Sequence, residues 1–442
     1  MKTTKRISVL AFAIIAFAVT MTTVSCQSKQ DKKSEQSNDS AFVFSTPKVL
    51  NVGDYINKHF EHGASYMKMV DTTGILSLSD IADDVEYVLL KTSNDKQEVF
   101  IGRGLYNVFI SKDYIFVHMA NNIIQYDRQG NLIRTIGRQG LGPGEYNWVY
   151  QMFVDDKTKR IFINTSGKIN EYDFEGKFLR AIKTTYDDKV MPLDSNRIAV
   201  EVSNIWYDVK ERLVILNEKG EVEKSFPRYQ LFERTNNVVT DTETDKIPRL
   251  TRFHDTVYFN EAYNDTIFEL KNNELQMRYF VDWGKYAMKP EYFYEQKKYD
   301  TKQWECLWQK KFYETDRYVF ILTNRFGITL VYDKKNDHIN AGYPLISEKD
   351  QCMPFVKILN NTPSGFKNDL DGGMIQNIDG ISIDSKYIIS YYYASDIKDF
   401  FEEVGYGADP KYPDKQAKLK ALVDSIDENK HNLLIMMSKL KE

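Results

Sequence analysis

Hydrophobic residues in this chain fall in short runs bounded by turn residues, and no helical period dominates its middle. One unit recurs. Ile123-Ile124-Gln125-Tyr126-Asp127 leads through Arg128-Gln129-Gly130-Asn131 to Leu132-Ile133-Arg134-Thr135-Ile136. Ile169-Asn170-Glu171-Tyr172-Asp173 leads through Phe174-Glu175-Gly176-Lys177 to Phe178-Leu179-Arg180-Ala181-Ile182. Leu213-Val214-Ile215-Leu216-Asn217 leads through Glu218-Lys219-Gly220-Glu221 to Val222-Glu223-Lys224-Ser225-Phe226. Each reads as strand, tight turn, strand, with Asp or Asn opening the turn and Gly supplying the positive φ it needs. Fainter copies run from Thr266 to Tyr279 and from Thr329 to Ile339.

A further β-run precedes each hairpin, starting at residues 114, 160, 197, 256 and 318. A sixth starts at Tyr387 and pairs with a late strand, Leu433–Met437. Six units of three or four strands, with insertions growing towards the C-terminus, predict an all-β fold, a six-bladed β-propeller. One blade cannot bury both faces of its sheet alone, so the ring has to close. The orphan strand Val85–Leu90, ahead of the first repeat, is expected to complete the last blade beside Leu433–Met437. A β-sandwich and an open solenoid are the alternatives.

Helical patterns interrupt the β-runs. Lys289–Asp316, with Trp304 and Trp308 four apart, predicts a helical insertion whose two Trp form a packing stripe. Asp414–Asn429, with Ala417, Leu419, Leu422, Val423 and Ile426, predicts an amphipathic helix before the closing strand. Val49, Val52, Ile56 and Phe60 suggest an extra element along one face of the ring, in an N-terminal extension spanning residues 41–75; the propeller itself spans 76–442.

The composition suits this reading. Tyr (29), Phe (26) and Trp (5) bring aromatics to 14 %, against 11 Pro, a balance that favours strands. The 59 basic and 63 acidic side chains nearly cancel, which excludes the basic footprint of a nucleic-acid binder.

The first residues form a targeting segment. Lys2, Lys5 and Arg6 precede an apolar stretch, Ile7–Val19, shorter than the roughly 20 residues of a spanning helix. Thr23-Val24-Ser25-Cys26 resembles a bacterial lipobox, with Thr23 where Leu is usual. Residues 1–25 then read as a lipoprotein signal peptide and Cys26 as the lipid-bearing residue, anchoring the protein to a membrane. Ordinary cleavage with Cys26 incidental is the other reading. Residues 26–40 are polar and read as a flexible tether. No acidic cluster follows Cys26, which favours a periplasm-facing protein, anchored to the outer membrane, over a surface-exposed one. Cys306 and Cys352 remain as an even pair, for a disulfide or for two buried thiols.

From about residue 76 onwards the chain resembles the six-bladed propeller lipoproteins of Bacteroidetes, whose blades look like NHL repeats. The resemblance rests on Ile81-Ala82-Asp83-Asp84-Val85-Glu86-Tyr87-Val88-Leu89-Leu90, on Ile136-Gly137-Arg138-Gln139-Gly140-Leu141-Gly142-Pro143-Gly144-Glu145-Tyr146, and on Asn368-Asp369-Leu370-Asp371-Gly372-Gly373. It implies fold and address far more than function.

The candidate chemistry is sparse. Gly137–Gly144 lacks the Lys-Ser/Thr of a phosphate loop and reads as a wide inter-blade connection. Arg138, Glu145, Tyr146, Trp148 and Tyr150 beside it are the candidate ligand-binding residues, aromatic faces at a channel mouth that would suit a sugar or peptide; a packed loop is the alternative. Asp369-Leu370-Asp371-Gly372 begins like a calcium loop, but Gly380 stands where the bidentate Glu is needed, so a turn is expected. His59, His62, His118, His254, His338 and His431 hold no equivalent blade positions, so no metal site and no cofactor are expected. Asp155-Asp156 and Asp187-Asp188 read as solvated carboxylates beside turns. The leading reading is a non-enzymatic envelope binding or scaffold module for a glycan, a peptide or a partner protein. The rival is a lyase or hydrolase with its site in the channel.

Overall fold

The second strand of each repeat unit is the most hydrophobic, because neighbouring sheets cover both of its faces. Tyr114–Met119 is buried at every position but the first, while the outer strand Phe178–Lys183 keeps only Ile182 inside. The computed structural model describes residues 42–43, 46–62, 67–99, 105–186, 189–202, 209–228, 249–261, 263–293, 296–324, 328–342 and 365–442. Its strands make six antiparallel sheets arranged as the blades of a propeller. Counting from the channel outwards, blade 1 is Leu105–Ile110, Tyr114–Met119, Asn122–Asp127 and Leu132–Thr135. Blades 2 to 5 begin with the inner strands Gln151–Asp155, Val190–Pro192, Leu250–Phe253 and Gln309–Glu314. Blade 6 joins Gly380–Ile381, Tyr387–Tyr393, His431–Leu440 and the early strand Ala82–Lys91. The ring thus closes as expected, with Val85 opposite Ser438 and Leu89 opposite Leu434.

The β-runs read from the sequence are the second strands. The innermost strands, no longer than these and more polar, precede them. The core lies between blades: Leu90, Val108, Leu433 and Ile435 join blades 6 and 1, and Phe116, Ile123, Met152 and Ile161 join blades 1 and 2.

The turn glycines do more than permit the hairpin. Gly130, Gly176 and Gly220 all sit near φ +80°. Asp127 and Asn217 fold their side chains back onto the turn, each Oδ1 accepting two backbone N–H groups. At Gly220 a Cβ would stand 1.7 Å from the carbonyl oxygen of Lys183, at the end of the neighbouring blade's outer strand. Gly167 has a similar φ but open space around it. Gly220→Ala is therefore expected to lower stability by about 1–3 kcal/mol more than Gly167→Ala, in parallel chemical denaturations.

The extension before the ring follows its outer edge. Phe42–Val43 and Lys48–Leu50 pair in parallel with Glu274–Val281 of blade 4, and Ile75–Leu76 with the outer strand of blade 5. The helix Val52–His59 buries Val52 and Ile56 against Tyr279, Trp283 and Tyr286, and Phe60 joins the same cluster; Val49 stays exposed. The insertion between blades 4 and 5 differs from its prediction. Its helix is Gln296–Glu305, so Trp304 is exposed at its end while Trp308 lies beyond it, buried with Met288 and Tyr299. No stripe forms. The second predicted helix runs Pro413–Asp424, and an unforeseen one, Ala394–Glu403, joins it in the same connection of blade 6. Among the described residues no helix is long and apolar enough to cross a membrane. Cys306 is buried; Cys26, Cys352 and Asp187-Asp188 lie outside the described residues, as do the leader and tether.

Candidate functional site

Because strands alternate in direction, the turns between first and second strands open on one face of the ring. The long inter-blade connections open on the other. A cavity of about 430 Å³ occupies the channel and is lined from all six blades. Blade 1 supplies Asn107 and Phe109, blade 2 Gln151, Phe153, Asp155 and Lys157, and blade 3 Met191. Blade 4 supplies Thr251, Arg252, His254 and Asp255, blade 5 Tyr313, and blade 6 Asp379 to Ile383.

Charged residues are graded along this cavity. At the face of the short turns, Lys157 meets Asp255 at 2.7 Å and His254 Nε2 lies 3.0 Å from Asp316 Oδ1. These pairs link blade 2 to blade 4 and blade 4 to blade 5, and both are solvent-exposed. Further in, Arg252 stands 3.7 Å from Asp155, donates to the carbonyl of Pro192 and lies over the Phe153 ring at 5.2 Å. Blade 3 reaches only three residues into the channel, Val190–Pro192, which leaves room for Arg252 to span from blade 4 to blade 2. Burial holds the guanidinium pKa below its usual value, with the Asp155 charge opposing. Asp155 is only 8 % exposed, not solvated as its sequence setting suggests; it accepts from Lys157 N–H and Thr158 Oγ1. Its neighbour Asp156 pairs with Lys159.

Asp379 precedes the inner strand of blade 6. Its Oδ2 accepts the Tyr391 N–H at 3.2 Å, and its carbonyl accepts the Tyr313 hydroxyl at 3.3 Å. Desolvation pushes its carboxyl up to about 6, with Lys311 pulling the other way. Burial likewise raises Tyr313 and Tyr391.

The residues predicted for ligand binding sit elsewhere, in the connection between blades 1 and 2 that opens on the opposite face. Tyr146 is 1 % exposed and donates to the Ile136 carbonyl; it anchors the loop. Arg138 pairs with Glu145 at 2.6 Å, and Glu145 also accepts from Gly142 N–H. Trp148 and Tyr150, 44 % and 38 % exposed, are the two aromatics that face solvent there. The Asn368–Gly373 motif is a turn with a fastening role. Asp371 accepts from Tyr87 Oη, Asn368 Nδ2 and Gly373 N–H, and Asp369 accepts from Ser79 N–H and Oγ, which ties this segment to the start of the closing strand.

The histidines whose side chains are described stay dispersed; that of His62 lies outside the description. His59 is buried beside Asp71, His118 is buried in blade 1, His338 is exposed, and His431 meets Asp427. Among the described residues no three His, Cys, Asp or Glu side chains are placed to hold a metal ion. The inner-strand residues were missed in sequence because polar Asn107, Gln151, Asp155 and Arg252 break the apolar runs; the signal was a short mixed segment ahead of each run.

The fold and the cavity define a six-bladed β-propeller with an open central recess. The chain belongs to the family described as a domain of unknown function, DUF4934, whose model matches residues 67–439. No curated protein matches it. A crystal structure of a protein described as exported, from Bacteroides fragilis NCTC 9343, has a TM-score of 0.56 at 17 % identity, covering 82 % of this chain and 98 % of that one. The extracellular domain of a hybrid two-component system from Bacteroides thetaiotaomicron gives a TM-score of 0.34 at 12 % identity, over 60 % of this chain and 34 % of that one.

Proposed function

We propose that this protein is a non-enzymatic binding module of the bacterial cell envelope, tethered by lipid at Cys26, and that its ligand enters the central channel. The observation that carries the reading is the 430 Å³ recess lined by all six blades. Its size falls within the range of small-ligand sites, and its lining combines an apolar wall with polar and charged groups that can orient a ligand. Among the described residues, the ion pairs at the cavity run separately across blades and do not meet around one point, which supports binding over catalysis. A glycan, a peptide or the loop of a partner envelope protein is the class of ligand it takes. The exposed Trp148 and Tyr150 favour a second, weaker contact on the opposite face.

Two experiments test this. Asn107→Trp fills the recess from blade 1 and is expected to reduce binding to any glycan or peptide found by array screening at least tenfold, with the circular dichroism spectrum unchanged. Binding that survives this change removes the ligand from the channel. Cys26→Ser is expected to shift the protein from the membrane to the soluble envelope fraction, and mass spectrometry of the native N-terminus to find acyl chains on Cys26.

A further inference from the structure

Resting on the channel reading, we propose that the recess is a cation site: Asp379, beside Tyr313 and Tyr391, takes an alkylammonium or guanidinium group whose methylene stem lies along Phe109 and Phe153. The charge balance points to this. Arg252 faces Asp155, Lys157 pairs with Asp255, and His254 meets Asp316. Asp379 lines the same cavity with no ion-pair partner within 4 Å among the described residues; Lys311, outside the lining, acts on it only from beyond contact. A buried carboxylate without a counter-ion is costly, and a ligand that supplies one is favoured in proportion. Its backbone bonds to Tyr391 and Tyr313 hold it in place while part of its surface stays open to the cavity. Tyr313 lines the cavity beside it, and an aromatic ring there is suited to a cation. The edge-to-face pair of Phe109 and Phe153, 5.9 Å between centroids, supplies an apolar wall for the stem. An anionic ligand would meet Arg252, Lys157 and His254, each already engaged by a carboxylate: Asp155, Asp255 and Asp316.

This chemistry has two sources, a free amine or a Lys or Arg side chain on a partner. Calorimetric titration of the mature protein with cadaverine and agmatine, and with capped Gly-Lys-Gly and Gly-Arg-Gly peptides, separates them. Binding of the free amines marks a small-molecule site; binding of the peptides alone marks a partner's basic side chain. In either case Asp379→Asn is expected to weaken affinity at least tenfold, whereas Asp265→Asn, a buried carboxylate outside the cavity lining, leaves it unchanged. Affinity is also expected to fall as pH drops below about 6, where Asp379 takes up a proton. Lys311 and Tyr313 on blade 5, and Tyr391 and Tyr392 on blade 6, face this carboxyl, and Asp155 and Arg252 share the cavity. Equal affinity for 1-pentanol and cadaverine, or no effect of Asp379→Asn, overturns the proposal. A neutral or anionic ligand that is lost in Asn107→Trp yet indifferent to Asp379→Asn overturns it while leaving the channel reading standing. No ligand sensitive to Asn107→Trp means that the channel reading itself has failed.

Discussion

A chain ending at Lys430 is expected not to fold. The strand His431–Leu440 is the third of blade 6 and holds Tyr387–Tyr393 on one side and Ala82–Lys91 on the other. Without it the N-terminal strand has no neighbour, and blade 6 keeps only its two inner strands. Leu433, Ile435 and Met437 pack towards blade 1, and Leu434 and Met436 towards blade 5, so both flanking interfaces lose their facing side chains together. Burying one such side chain contributes about 1.5–3 kcal/mol. Losing five removes an amount comparable to the whole margin of a typical domain, roughly 5–15 kcal/mol. Circular dichroism and limited proteolysis of residues 27–430 beside 27–442 test this. A cooperative thermal transition in the shorter chain would show that the clasp is dispensable.

Asp379→Asn is expected to make the protein more stable at neutral pH, by on the order of 2–3 kcal/mol, while it loses its ligand. The folded-state pKa, about 6, stands above the ordinary 3.8 because desolvation disfavours the charged form. The sign follows: the stability due to protonated Asp379 is fully present below about pH 4 and is lost as pH rises through 6. Asparagine keeps a neutral acceptor for the Tyr391 N–H at every pH. Wild type and variant should therefore converge near pH 4 and separate towards pH 7 in urea denaturation. Asp265 behaves alike for a different reason. Burial and the neighbouring Asp282 raise it to about 7, and Asp265→Asn should stabilise the fold without touching the channel. A residue whose removal strengthens the fold and weakens recognition is kept for recognition.

The closing strand shows how far the sequence reaches. Val85–Leu90 was legible as an unpaired β-run and Leu433–Met437 as its partner, because both are strongly apolar segments with no hairpin mate adjacent in the chain. The hairpins around Gly130, Gly176 and Gly220 were legible because Asp or Asn and Gly report a local backbone conformation. The second strands were legible because burial on both faces demands an unbroken apolar run. The first strands were not. Gln151–Asp155 presents Gln151 and Asp155 to the channel beside apolar Met152 and Val154, and such a mixture has no single period.

The site shows the converse. Tyr146 and Trp148 look alike as aromatics beside a glycine-rich turn, yet one is enclosed by Ile136 and Tyr172 and the other reaches water. Asp155 and Asp156 are adjacent letters with opposite fates, one turned into the channel and the other onto Lys159. By itself the amino-acid order determined the strands outside the innermost one of each blade, their turns and the number of blades, because those depend on neighbours within a few residues and on which faces must avoid water. Only the tertiary structure decided that Arg252 would meet Asp155 and that Asp379 would line the channel, because both depend on where six separated inner strands converge.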